Sequence, residues 1–169
     1  MSSPASIKGH PLHPVLVAFP IGLWIFSIIS DLIFKLGYGG PIWNDVAFYT
    51  LAGGIVGALV AALPGLIDLV SIENSKSKSI GIWHMVINLL AVGLYCVNFW
   101  LRMHRTPGDN LSITLSVIGV VFILISGWLG GELVDRLGVG VDTGAHLNAP
   151  SSLSGRPATE ETRNLRRVA

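Results

Sequence analysis

Four apolar stretches, roughly residues 15–36, 46–70, 80–101 and 111–134, leave this chain the fewest choices of fold. Each is close to the ~20 residues that a helix needs to cross the hydrocarbon core of a bilayer. A backbone in lipid must satisfy its own hydrogen bonds, so runs of this length fold as helices. The charged residues agree: they make up 12% of the chain, against about 25% in soluble domains. A formal net charge of +1 and the lack of a basic cluster exclude a nucleic-acid binder. The single Cys96 lies inside an apolar run, which excludes a disulfide framework and a thiolate metal cage.

The spans are joined by short links, so consecutive helices are expected to be antiparallel neighbours. The expected fold is all-α, an integral-membrane four-helix up-and-down bundle. Residues 1–13 read as an extended N-terminal arm, 14–142 as the four-helix domain and 143–169 as a disordered, Ser/Pro/Thr/Arg-rich tail. The N-terminus lacks a small-residue cleavage pattern, so the first helix is expected to remain in the mature protein. Gly37 to Pro41 and Thr106 to Asn110 are turn signals. Gly53-x-x-x-Gly57, Gly54-x-x-x-Ala58 and Gly127-x-x-x-Gly131 are spacings that allow close helix approach. Pro64-Gly65 is expected to kink the second span and free carbonyls. Trp43, Trp83, Trp100 and Trp128 fall near span ends, as interfacial aromatics do, whereas Trp24 is expected to pack inside.

Antiparallel threading gathers polar groups at the two membrane faces. The face shared by the termini, side A, receives His10, His13, Asp68, His84, Glu132 and Asp135, and side B receives Asp31, Asn98 and His104. Ionisable groups inside a span cost about 2.5–3.5 kcal/mol each on insertion scales, so they are functional candidates. His84 and Asn88 share a helix face. His84 is either a haem or metal ligand or a neutral imidazole bonded to a carboxylate. His10 and His13 each precede a proline, which favours an extended backbone. At ~3.1 Å per residue they would lie about 9 Å apart, too far to share one metal unless the segment turns. His13, with Pro14 at the first helical position, alternatively only caps the helix. Asp68 is a candidate to orient a histidine ring. Glu132 is a candidate metal ligand or an i, i+4 partner of Arg136. Asp31 is expected to pair with Lys35 at i+4. His104 and His146 read as solvated. No phosphate loop, nucleophile elbow, H-E-x-x-H or haem-attachment motif is present.

Gly9-His10-Pro11-Leu12-His13-Pro14, continued by Phe19-Pro20-Ile21-Gly22, resembles the opening of the domain-of-unknown-function 2231 family of predicted bacterial membrane proteins. Gly65-Leu66-Ile67-Asp68, His84 with Asn88, Gly127 to Val134 and Gly138-Val139-Gly140-Val141 carry the likeness over residues 8–142. The resemblance implies a four-helix membrane domain and suggests that the histidines and Asp68 form one site; it implies no activity.

Three functional readings follow. In the first, His10 or His13 joins His84 to hold a b-type haem, or His13, His84 and Glu132 a divalent metal, and the protein passes electrons to a redox partner. In the second, the chain is a structural or accessory subunit of a larger membrane complex, and its polar cluster only stabilises the bundle. The third is a proton or ion pathway through Asp68, His84, Glu132 and Asp31. The expected setting is a bacterial inner membrane with both termini on one side. The balance of Lys and Arg favours the cytoplasmic side.

Overall fold

The structure, a computed structural model, describes residues 3–73 and 75–160, with the backbone alone at residue 75. Four spans in it are long and apolar enough to cross a membrane: Leu12–Lys35, Ile42–Ser71, Lys76–His104 and Asn110–Arg136. The all-α, four-helix architecture is as the apolar runs require.

The first span is two helices, α1 (Leu12–Leu16) and α2 (Ala18–Lys35). Pro20 has no N–H to offer the Leu16 carbonyl, so the helix breaks at Val17 and restarts with proline in its first turn, where it is tolerated. α2 ends at Gly37, whose φ of 79° supplies the left-handed turn, and the Tyr38 N–H closes back on the Ile33 carbonyl. α3 (Ile42–Ser71), α4 (Ser75–His104) and α5 (Asn110–Gly131) follow, and α5 runs into a single π turn at Glu132–Arg136. The helices overrun the apolar stretches because hydropathy marks the thickness of hydrocarbon, whereas the backbone ladder continues into polar residues.

The helices pack most closely as two hairpins, α2 with α3 and α4 with α5. The core between them is Trp24, Leu51, Tyr95 and Ile123. Trp24 lies inside as expected, 4% exposed, and stacks on Tyr95 with ring centroids 4.1 Å apart and planes 9° from parallel. Most other large apolar side chains, Trp83, Trp100 and Trp128 among them, face outward, as a bundle surrounded by lipid requires. Of the small-residue spacings, those on α3 are used: Gly53 meets Leu23, Gly54 lies under Trp24 and Gly57 under Pro20. Gly127 and Gly131 instead face open space, and the close approaches on α5 are made at Gly119 and Gly130.

The N-terminal segment folds back on itself. Strands β1 (Ser6–Ile7) and β2 (His10–Pro11) pair antiparallel, turning through Lys8 and Gly9, both at positive φ. α1 therefore starts at Leu12, and Pro14 is its third residue, still within the turn whose N–H groups have no helical acceptor. In the C-terminal region, residues up to 160 form turns and a short 3-10 helix, Ser152–Ser154. The Ser152 hydroxyl lies 3.1 Å from His10 Nε2. Residues 161–169, the rest of the expected tail, lie outside the described residues.

Candidate functional site

α1 and α4 each bring one histidine to the same place near side A. The His13 and His84 rings are 6.0 Å apart between centroids and nearly perpendicular, at 86°. His13 Nδ1 is 2.8 Å from the Ala61 carbonyl on α3. His84 Nδ1 is 2.9 Å from the Ser126 carbonyl on α5 and 3.0 Å from the Ser126 hydroxyl. A carbonyl oxygen only accepts, so each Nδ1 carries the proton and donates it. The tautomer is thereby fixed, and each Nε2 is left with its lone pair. Among the described residues, none bonds either Nε2.

The helices are shaped to admit these rings. A Cβ on Gly65 would lie 2.7 Å from His13 Nδ1, and one on Gly130 would lie 3.3 Å from His84 Cε1. Glycine at 65 and 130 thus makes room for the imidazoles themselves. The Ala61 carbonyl lies three residues before Pro64 within α3; the N–H that Pro64 lacks would have met the Val60 carbonyl, one position earlier. Asn88, on the face of α4 that carries His84, donates to the His84 carbonyl at 2.9 Å and to the Ser126 hydroxyl at 2.6 Å.

The other side A candidates do not join this pair. His10 is exposed and bonds Ser152. Asp68 orients no histidine; its carboxylate accepts from the Ser3 hydroxyl at 2.6 Å and the Ala5 N–H at 3.1 Å. The segment just before the N-terminal hairpin reaches the end of α3 and occupies that carboxylate. Among the described residues, Glu132 forms no ion pair with Arg136, although the two stand at either end of the π turn. Among the described residues, no group of three or more His, Cys, Asp or Glu is arranged to hold a metal ion. The His84 imidazole is bonded to backbone and hydroxyl, not to a carboxylate. His104 is exposed, with Nδ1 on the Trp100 carbonyl, and His146 is exposed, with Nδ1 accepting from the Asn148 N–H.

A second polar cluster lies at side B. Arg102 grips Asp31 with its two terminal guanidinium nitrogens, at 2.8 and 2.5 Å; the two side chains are 8% and 2% exposed. Asn98, fully buried, accepts from Arg102 Nε and donates to the Ser112 carbonyl and the Ser116 hydroxyl. This replaces the expected Asp31–Lys35 pair. Lys35 reaches outward to the Gly108 carbonyl and Asn110 instead, as a long aliphatic stem with a hydrated head does at an interface. Antiparallel threading puts Asp31 and Arg102 at one face, so the partner was within reach of the sequence; the local i, i+4 rule obscured it. Tyr95, Ser116 and Ser126 carry no comparable signal, being uncharged residues inside apolar runs.

The family described as "Predicted membrane protein (DUF2231)" matches residues 9–143. No curated protein matches the chain. No solved structure matches it.

Proposed function

From the premise that this chain belongs to the DUF2231 family of predicted membrane proteins, we propose that it binds one haem iron or metal ion through His13 and His84. The observation that carries this reading is the shared chemistry of the two rings. Both Nδ1–H groups are committed to backbone carbonyls, and both Nε2 lone pairs are left for a cation. Two imidazoles that were to hold one ion would have to lie close to one another, and the two ring centroids are 6.0 Å apart. Hydrogen bonding of the distal nitrogen to a carbonyl is the usual way a protein orients such a ligand and raises its basicity. A bound iron would supply one-electron chemistry; the chain's part is to hold two neutral donors in fixed orientation. Electron transfer to a redox partner at the cytoplasmic side of a bacterial inner membrane, with both termini on that side, completes the reading.

The test is an oxidised-minus-reduced absorption spectrum of detergent-purified protein expressed with ample haem, with elemental analysis of the same sample. A b-type spectrum or one metal per chain, lost in His84→Ala and in His13→Ala, is expected. A colourless and metal-free protein would overturn the reading.

One observation favours the structural alternative. Each imidazole already ties two helices together, α1 to α3 and α4 to α5. In that case both variants lose stability and no chromophore or metal is found. An ion pathway is less supported, since Asp31 is held by Arg102 and Asp68 by Ser3 and Ala5.

A further inference from the structure

Equivalent residues meet across the middle of the bundle. Asp31 and Arg102 are 71 positions apart in the chain. His13 and His84, Trp24 and Tyr95, and Ser27 and Asn98 are separated by that same interval. Three of these four pairs are in direct contact: the two histidine rings, the stacked Trp24 and Tyr95, and the ion pair.

Their hydrogen bonds repeat as well. His13, Trp24 and Ser27 donate to the carbonyls of Ala61, Leu51 and Ala47 on α3. His84, Tyr95 and Asn98 donate to the carbonyls of Ser126, Ser116 and Ser112 on α5. Within each of these acceptor pairs the spacing is again constant, at 65 positions. Gly65 and Gly130 share it, one under each histidine, and so do Gly54 and Gly119, under Trp24 and Tyr95. The smaller interval arises between the turn glycine and the second helix of each hairpin: Gly37 precedes Ala47 by ten positions and Gly108 precedes Ser112 by four. Gly37 and Gly108, both at positive φ after the first helix of each hairpin, keep the larger one.

A contact between a residue and its own counterpart is what a two-fold axis produces, as in an isologous dimer. α2 and α4 run in the same direction through the membrane, so the axis lies along the membrane normal, the arrangement of parallel internal repeats. We infer that the chain is two copies of one helical hairpin, joined in tandem about an axis that passes between His13 and His84, Trp24 and Tyr95, and Asp31 and Arg102. We infer also that the histidine pair is a single two-donor site on that axis. Two of the axial pairs have become chemically complementary: an indole on a phenol and a carboxylate on a guanidinium. The histidine pair alone remained identical, together with the glycine and carbonyl behind each ring. Two identical neutral rings, each with its acceptor nitrogen unbonded, have little to offer one another. A cation between them takes both lone pairs. The ligand is therefore one ion or one haem iron per chain, held equally by both hairpins; this part rests on the ligand reading above.

Two measurements on the full-length protein in detergent test it. Haemin alone and Zn2+ alone are titrated into wild type, His13→Ala and His84→Ala. One equivalent per chain is expected, weakened in both variants alike by more than the ~10–100-fold typical of losing only an outer partner. Two equivalents, or one histidine found dispensable, would overturn the shared site, and the probe that binds distinguishes haem from a metal ion. Binding of neither probe would overturn the ligand and leave the repeat to the second measurement. That one compares the thermal stability of Trp24→Tyr, Tyr95→Trp and the reciprocal double exchange. If the positions are related by the axis, the exchange retains the stack, and each ring keeps a carbonyl and a glycine. The double variant should then unfold closer to wild type than either single variant does. A double variant no better than the sum of the two losses would overturn the axis.

Discussion

At Gly65 and Gly130 the demands on a single residue differ in degree. An added methyl at 65 meets the His13 ring at 2.7 Å, and one at 130 meets the edge of His84 at 3.3 Å. Gly65→Ala is therefore expected to cost about 1–3 kcal/mol, the usual range for an extra methylene in a packed core. Gly130→Ala should cost clearly less. Thermal unfolding in detergent checks the order, and equal losses would refute the description of the two rings. Asp31 and Arg102 lend themselves to a cycle. Arg102→Met or Asp31→Asn alone strands a buried polar partner and should cost about 3–5 kcal/mol. The double variant should cost less than the two losses combined, and simple additivity would show that the ion pair contributes nothing. The partner of Asp31 was misread from sequence because Lys35 is the nearest cation along the helix. Lysine, unlike Arg102, can reach water from that position.

Helix existence was legible in the apolar runs, and helix ends were not. At the start of α5, Asp109 stands just before the first helical residue, and its carboxylate accepts from the Ser112 N–H at 3.2 Å. Desolvation pushes this carboxyl upward. The Ser112 N–H, the Arg105 charge and the bonds from Arg105 and the Ser112 hydroxyl together outweigh it, so the group titrates below its ordinary value. Since the folded value is the lower one, the stabilisation is complete above the unfolded carboxylate pKa of about 3.9. It is lost as pH falls through the folded value. Protection of the amides in the first turn of α5, taken relative to their intrinsic exchange rate at each pH, should therefore fall on acidification in wild type. In Asp109→Asn, which keeps a capping oxygen but cannot titrate, it should not. The same loss of protection in that variant would exclude Asp109 as its cause. The break at Val17 and the π turn after Gly131 escaped a reading by hydropathy, because hydropathy reports transfer into lipid and not the register of the backbone hydrogen bonds.

For the molecule as a whole, the proposed reading with four membrane crossings has both ends of the chain on one face. Reporter fusions at residues 1 and 142 should report the cytoplasmic side, and a fusion in the loop around Gly108 the opposite one. A reversed pattern would move the histidine pair to the other face. The fold class, the number of spans and their up-and-down order followed from the sequence alone. Lipid cannot hydrogen-bond a backbone, and ~20 apolar residues admit one solution. The gathering of polar residues at two faces followed too, since antiparallel threading fixes depth. Which of those residues touch was decided by tertiary structure. Depth says nothing about rotation around a helix axis, and a hydrogen bond is lost within about 1 Å. The folded N-terminal segment carried His10 to Ser152 and took the Asp68 carboxylate, and rotation set His84 against the Ser126 carbonyl. The constant interval between His13 and His84, Trp24 and Tyr95, and Asp31 and Arg102 was in the sequence throughout. With Trp facing Tyr and Asp facing Arg, it becomes visible as a repeat only when the folded chain brings each residue against its counterpart.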